Sequence, residues 1–248
     1  MKKLRVVLNL VLHRNSWVAS LSSYAACFAI AALSLSDHHS FLQKSKARVS
    51  LEAAERARDT ATSVRVALTG STGDATRIEF VSTIIKQELP ARTDSDELAR
   101  IIVTESRKAD IDPLFVAAIV RAESMFARSA VSHRGAKGLM QLMPATGRYL
   151  SKVSNIELKA INDLHNPETN IKLGIWYLKY LERRFSGSRE RQLVAYNWGP
   201  TNLLRALSSG TSFPRESMQY VEKVLSRHSL WSNQLAQDLA VRSQTALG

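Results

Sequence analysis

From Asp94 onward, apolar residues recur every three or four positions rather than alternating, the period of helices that bury one face. Leu98, Ile101 and Ile102 share a face with Ser106, and Asp94 or Ser95 stands where a helix cap belongs. In the next segment Asp112 is the cap and Pro113 the first-turn residue, with Val116, Ile119 and Val120 forming a stripe that runs to Glu123. Asn166-Pro167 opens another helix, with Ile171, Ile175, Leu178, Leu181 and Phe185 as its buried face, and Gly199 stops the one after it. Between these helices, Gly135 and Gly138 suit a tight loop that brings Leu139, Met140, Gln141, Leu142 and Met143 beside the end of the Glu123 helix. Leu139, Leu142 and Met143 read as core. The pattern predicts a mainly α domain with at most a short β-hairpin near Met140.

The first ninety residues have another pattern. Lys2, Lys3, Arg5 and Arg14 precede an uncharged stretch over residues 16–36, long enough for a membrane span and ending at Ser34-x-Ser36, a small-residue cleavage pattern. An export signal of this kind fits both a cleaved leader and a retained anchor, and the basic flank directs the downstream chain out of the cytoplasm, to the periplasmic side of a cell envelope. Cys27 reads as a small apolar residue within that stretch, because a lipid-modified cysteine should end it. Alternating charges and many alanines then suggest an exposed helical stalk, with a hinge at Gly70-Ser-Thr-Gly-Asp74 and a linker at Pro90. The expected organisation is a signal peptide or anchor over 1–36, a stalk over 37–91, the helical domain over 92–232 and a tail over 233–248.

Composition narrows the classes. At 248 residues and 45% hydrophobic the chain can bury one good core, and its single cysteine excludes an internal disulfide. A net charge of +12 calls for an anionic partner: nucleic acid, phospholipid or an acidic wall polymer. No arginine-rich run interleaved with aromatics, zinc finger or glycine-rich phosphate loop is present, which argues against nucleic acid. His165 has no second histidine or acidic cluster at metal spacing, which argues against a zinc hydrolase.

Glu123 is the candidate catalytic group. A carboxyl beside apolar side chains is desolvated, which favours its protonated form and suits a general acid; the plainer reading is a helix-terminal surface charge. Gln141 is an amide in an otherwise apolar wall and needs polar partners, for which a sugar hydroxyl or acetamido group is suitable.

Four motifs occur in order: Glu123-Ser124; Gly135-x-x-Gly-Leu-Met-Gln-x-Met-Pro144; Asn166-Pro-Glu-Thr-Asn-Ile171 with Gly174 and Tyr177-Leu178; and Ala195-Tyr-Asn-x-Gly-Pro200. Together they resemble the soluble lytic transglycosylase family, with its goose-lysozyme-like helical fold, over roughly residues 92–232. The resemblance implies that Glu123 is catalytic, that Ser132 orients the substrate's N-acetyl group, and that Met140, Gln141, Tyr196 and Asn197 face a sugar groove. Pro214-Arg-Glu-Ser-Met-Gln-Tyr-Val221 is similar to a further family segment, making Glu216 and Tyr220 groove candidates. Trp198 departs from the small residue usual at its position, where a ring either extends the sugar platform or narrows a subsite. Glu168 is better explained as a first-turn acid at a helix amino terminus.

The family chemistry needs one carboxyl and neither metal nor organic cofactor. The acid protonates the bond between N-acetylmuramic acid and N-acetylglucosamine in peptidoglycan, and the resulting carboxylate then takes the C6 hydroxyl proton to close a 1,6-anhydro ring without water. Paired-carboxylate hydrolysis would need a second acid, for which Asp163 and Glu190 are the nearest rivals. A muramidase on the same fold and a non-catalytic wall-binding or secretion-scaffold protein are the alternatives, and the residues name no protein partner.

Overall fold

The computed structural model describes residues 70–245, with side chains over 73–242. The candidate leader or anchor over 16–36, most of the stalk and Cys27 lie outside the described residues. Within them the order is α1 (Gly70–Glu88), α2 (Ser95–Lys108), α3 (Pro113–Ser124), α4 (Pro144–Ser154), a 3₁₀ turn (Ile161–His165), α5 (Pro167–Arg184), α6 (Arg189–Trp198), α7 (Pro200–Ser209) and α8 (Arg215–Thr245). No strand forms among these residues. The expected hairpin is reduced to isolated antiparallel bridges, Val131 with Lys137 and Lys137 with Leu142.

The core is built around α3. Every residue from Pro113 to Val120 is buried, so this helix is apolar on all sides and other helices must surround it. Its start is fixed as the sequence suggests: Asp112 accepts a hydrogen bond from the Leu114 amide, and Pro113 occupies the first turn. The predicted α5 face, Ile171, Ile175, Leu178, Leu181 and Phe185, lies wholly in the same core. Leu142, Leu150, Leu164 and Leu173 form a smaller cluster between α4, the 3₁₀ turn and α5.

Four features depart from the sequence reading. The Gly70-Ser-Thr-Gly-Asp74 cluster lies in the first turns of α1 rather than at a hinge, and Val81, Ile84 and Ile85 of α1 join the main core. At the other end α8 continues without a break, and Trp231 and Leu235 are buried. The packed unit thus extends across both limits drawn at 92 and 232, because helix-spaced apolar residues outside the motifs find the same core. Met143 is 41% exposed, standing at the cap of α4 and not in the core. Asp94 precedes α2, but its side chain accepts from Arg92 instead of capping the helix.

Candidate active site

Glu123 sits in the last turn of α3, and the chain reverses immediately after it. Met125 and Phe126 both adopt left-handed backbone conformations, at φ 51° and 64°. Two such residues without glycine are costly, and the turn is stabilised where it matters: Phe126 is fully buried and its carbonyl accepts from the Arg92 guanidinium. Burial pushes the Glu123 carboxyl up to about 7, against the opposing pull of the Tyr220 hydrogen bond and the Lys223 charge. The Tyr220 hydroxyl donates to Glu123 Oε1 at 2.7 Å, and Lys223, one helical turn later, donates to the Ala122 carbonyl at 3.4 Å.

The loop between α3 and α4 is joined to this region through Tyr196, which lies near the Glu123 charge and bonds the loop backbone. Gly138 stands at φ 76°, and a Cβ there would lie 2.1 Å from the Leu164 carbonyl oxygen and 2.5 Å from Asn170 Nδ2. Only glycine fits. Asn170, fully buried on α5, explains the closeness: its amide nitrogen donates to the Lys137 and Leu164 carbonyls, and its oxygen accepts from the Met140 amide. All the hydrogen-bonding groups of this buried amide except one lone pair are thereby used on the loop and the 3₁₀ turn. The Asn166 motif read as architecture in the sequence therefore holds this loop directly.

Several groove assignments change at this point. The Met140 side chain is fully buried, and a Cβ at Gly174 would lie 2.2 Å from its sulfur, so Met140 packs against α5 and does not face the groove. A long apolar side chain reaching a glycine-lined helix surface gains more by burial than by facing solvent. Its backbone is what matters, for the Tyr196 hydroxyl donates to the Met140 carbonyl at 2.7 Å. Tyr196 thus ties α6 to the loop, while Tyr220 is the tyrosine on the carboxyl. Burial, with the Glu123 charge nearby, pushes both phenols well above their ordinary range, so both remain donors.

Gln141, at φ 47°, directs its amide nitrogen to the carbonyls of Ala130 and Gly138. The loop itself satisfies the donors for which a sugar partner was expected. Ser132 accepts from the Ala136 amide and stabilises the loop tip. Asn197 is exposed, and its side-chain oxygen accepts from Ser217 at 3.1 Å, linking α6 to the start of α8. Glu216 is exposed in the first turn of α8, one turn before Tyr220. Trp198 ends α6 half-buried against the main core. Asp163 accepts from the Ala160 amide at 2.8 Å, and Glu190 is exposed in the first turn of α6; neither touches Glu123. Among the described residues, no group of three or more acidic, histidine or cysteine side chains is placed to hold a metal, and no helix is long and apolar enough to cross a membrane.

Asn170 and Lys223 are the neighbours of the candidate site that the sequence reading passed over. Asn170 had a signal, a polar residue four positions after a cap and within a stripe of buried aliphatics. Lys223 had none, because its relation to Glu123 depends on how α8 lies on α3.

Residues 100–219 match the family model of the transglycosylase SLT domain. Over these residues the chain carries the domain of this family. It is 32% identical over 152 residues to the soluble lytic murein transglycosylase of Salmonella typhimurium, covering 56% of this chain and 24% of that one. It is 33% identical over 133 residues to an endo-type membrane-bound lytic murein transglycosylase A of Klebsiella pneumoniae, covering 48% of this chain and 66% of that one. The chain thus spans about a quarter of the first of these relatives and about two thirds of the second. The 70 kDa soluble lytic transglycosylase of Escherichia coli shares the fold, with a TM-score of 0.53 at 24% identity over 67% of this chain and 31% of that one. An inactive glutamate-to-glutamine variant of the lytic transglycosylase Slt of Pseudomonas aeruginosa superposes with a TM-score of 0.51 at 26% identity, over 74% of this chain and 33% of that one.

Proposed function

We propose that this chain is a lytic transglycosylase that cleaves peptidoglycan in the cell envelope with Glu123 as its single catalytic carboxyl. One observation carries the reading: an SLT-domain glutamate whose carboxyl is held near neutral pKa by burial and fixed by Tyr220. At neutral pH such a group is divided between acid and base forms, which suits one residue asked first to give a proton and then to take one. Glu123 protonates the glycosidic oxygen between N-acetylmuramic acid and N-acetylglucosamine. Its carboxylate, stabilised by the Tyr220 hydroxyl and the Lys223 charge, then receives the proton of the C6 hydroxyl as that oxygen closes on C1. The product is a 1,6-anhydromuramic end.

The relatives' names support the substrate, and the loss of activity in the Pseudomonas aeruginosa enzyme on a glutamate-to-glutamine change supports the type of catalytic group. The basic flank and apolar stretch before residue 37 support an envelope location, as does a membrane-bound relative. Asn197 is the exposed groove residue best placed for a sugar, and Glu216 beside Tyr220 is the second.

The test is mass spectrometry of sugars released from purified sacculi by the wild-type chain and by Glu123→Gln. Wild type should release anhydro ends, and the variant should lose at least about 10²–10⁴-fold in rate. Reducing-end products carrying solvent oxygen would establish a hydrolase instead.

A further inference from the structure

One face of α5 has no part in the site around Glu123. Lys172, Trp176, Lys179 and Arg183 succeed one another at four, three and four positions and so form a single stripe, about 16 Å long, down one side of the helix. The stripe borders a cavity of about 400 Å³ between α5 and the end of α2, with Ala109, Ile175 and Trp176 supplying apolar surface. The Trp176 ring lies parallel to Tyr180, centroids 6.0 Å apart and planes 7° from coincident, which fixes its orientation.

The cavity lies at the other end of α3 from Glu123. Lys179 donates to the carbonyl of Asp110, just ahead of the α3 cap, whereas Glu123 is in the last turn, about 16 Å away along the helix. This is a separate place on the domain, not an arm of the candidate groove.

Its charges are unevenly paired. Lys108 joins Glu105 at 2.7 Å, Lys179 joins Glu182 at 2.8 Å and Lys172 joins Glu168, but Arg183 has no carboxylate partner among the described residues. Of the cavity's own lining, four side chains are cationic and one is acidic. An oriented indole offers a flat apolar face to the C–H side of a sugar ring, the surrounding ammonium groups offer donors to hydroxyls, and the Arg183 fork matches a carboxylate.

We propose that this stripe and cavity form a second, non-catalytic saccharide site that holds a carboxylate-bearing amino-sugar strand, with a ring over Trp176 and a carboxylate on Arg183. The inference rests on the peptidoglycan reading above, and it gives the domain a second grip on the polymer it cuts. A shallow recess with an oriented ring at its edge favours a strand over a membrane surface, which a projecting basic helix would serve better.

The test uses the full chain in a Glu123→Gln background, so that sacculi are bound without being cut. Binding is measured by co-sedimentation for this chain and for versions also bearing Trp176→Ala or Arg183→Glu. Each should weaken sacculus binding by roughly fivefold, and in the Glu123 background each should cleave a short soluble muropeptide at the wild-type rate. Unchanged sacculus binding in both variants overturns the site. Loss of binding to anionic phospholipid vesicles without loss on sacculi overturns it in favour of a membrane. Arg183 is exposed and outside both apolar clusters, so Arg183→Glu decides the matter alone if Trp176→Ala fails to fold. Failure of the intact chain to cut either substrate would sink the proposed function, while the sedimentation result would still report on the site.

Discussion

His228 and Asp112 meet at 2.6 Å between Nε2 and Oδ2, at the opposite end of α3 from the hydrogen bond joining Tyr220 to Glu123. The two contacts show α8 running antiparallel to α3 and gripping it at both ends. The spacing agrees, since Tyr220 and His228 are about 12 Å apart along α8 and Asp112 and Glu123 about 16 Å along α3. Burial raises the Asp112 carboxyl, but the hydrogen bond and charge of His228 and the Leu114 amide outweigh it and hold the group below its usual range. Asp112→Ala removes cap and clamp together and should cost about 2–3 kcal/mol in urea denaturation, whereas Asp112→Asn keeps a cap and should cost about 1.

The proton on Glu123 is also a statement about stability. Its pKa is about 7 in the folded chain and 4.5 as the reference, so the folded state holds a proton that the unfolded state releases between those values. Its favourable contribution is full below about pH 4.5 and is lost as pH rises through 7. Glu123→Gln, which never ionises, should therefore become more stable relative to wild type across that window, by up to about 3 kcal/mol at pH 8. Parallel pH–stability curves for the two proteins would contradict the burial of this carboxyl.

Tyr220→Phe tests the hydrogen bond. The phenol favours the charged carboxyl, so its loss raises the Glu123 pKa further. The alkaline limb of the kcat profile should move up by about one pH unit while the maximal rate falls, because the carboxyl loses its fixed orientation. An alkaline limb that stays in place would detach Tyr220 from the proton-transfer step.

Gly135 and Gly138 share a loop and a positive φ but should respond differently. At Gly135 a Cβ meets nothing within 4 Å, so Gly135→Ala costs only the conformational term, about 1–2 kcal/mol. At Gly138 the Cβ would strike the Leu164 carbonyl and Asn170, and Gly138→Ala should cost about 3 kcal/mol or more, comparable to the largest single-residue losses. Thermal denaturation with activity measured on the same samples separates them, and Asn170→Ala should track Gly138→Ala in both readouts.

How far the sequence revealed this site depends on which residues are considered. Glu123 was legible because a helix cap, an apolar stripe and a turn after it each leave a local signature. The α5 stripe was legible for the same reason. Met140 was misplaced because its motif says that the segment borders the groove but not which atoms face it; burial took the side chain and left the carbonyl to Tyr196. The pairing of Tyr220 rather than Tyr196 with Glu123 is a matter of helix placement, which no local periodicity encodes. The limits at 92 and 232 came from the motifs, while the core extends to apolar residues wherever they pack.

Glu123 and Tyr220 are 97 positions apart in the chain. Until α8 meets α3, the carboxyl lacks both the Tyr220 hydroxyl that fixes it and the Lys223 charge that tempers its proton affinity. The setting of this carboxyl therefore depends on a contact between distant parts of the chain and not on α3 alone. On the proposed mechanism, a chain in which α3 and α8 have not met lacks the oriented acid that would break the glycosidic bond.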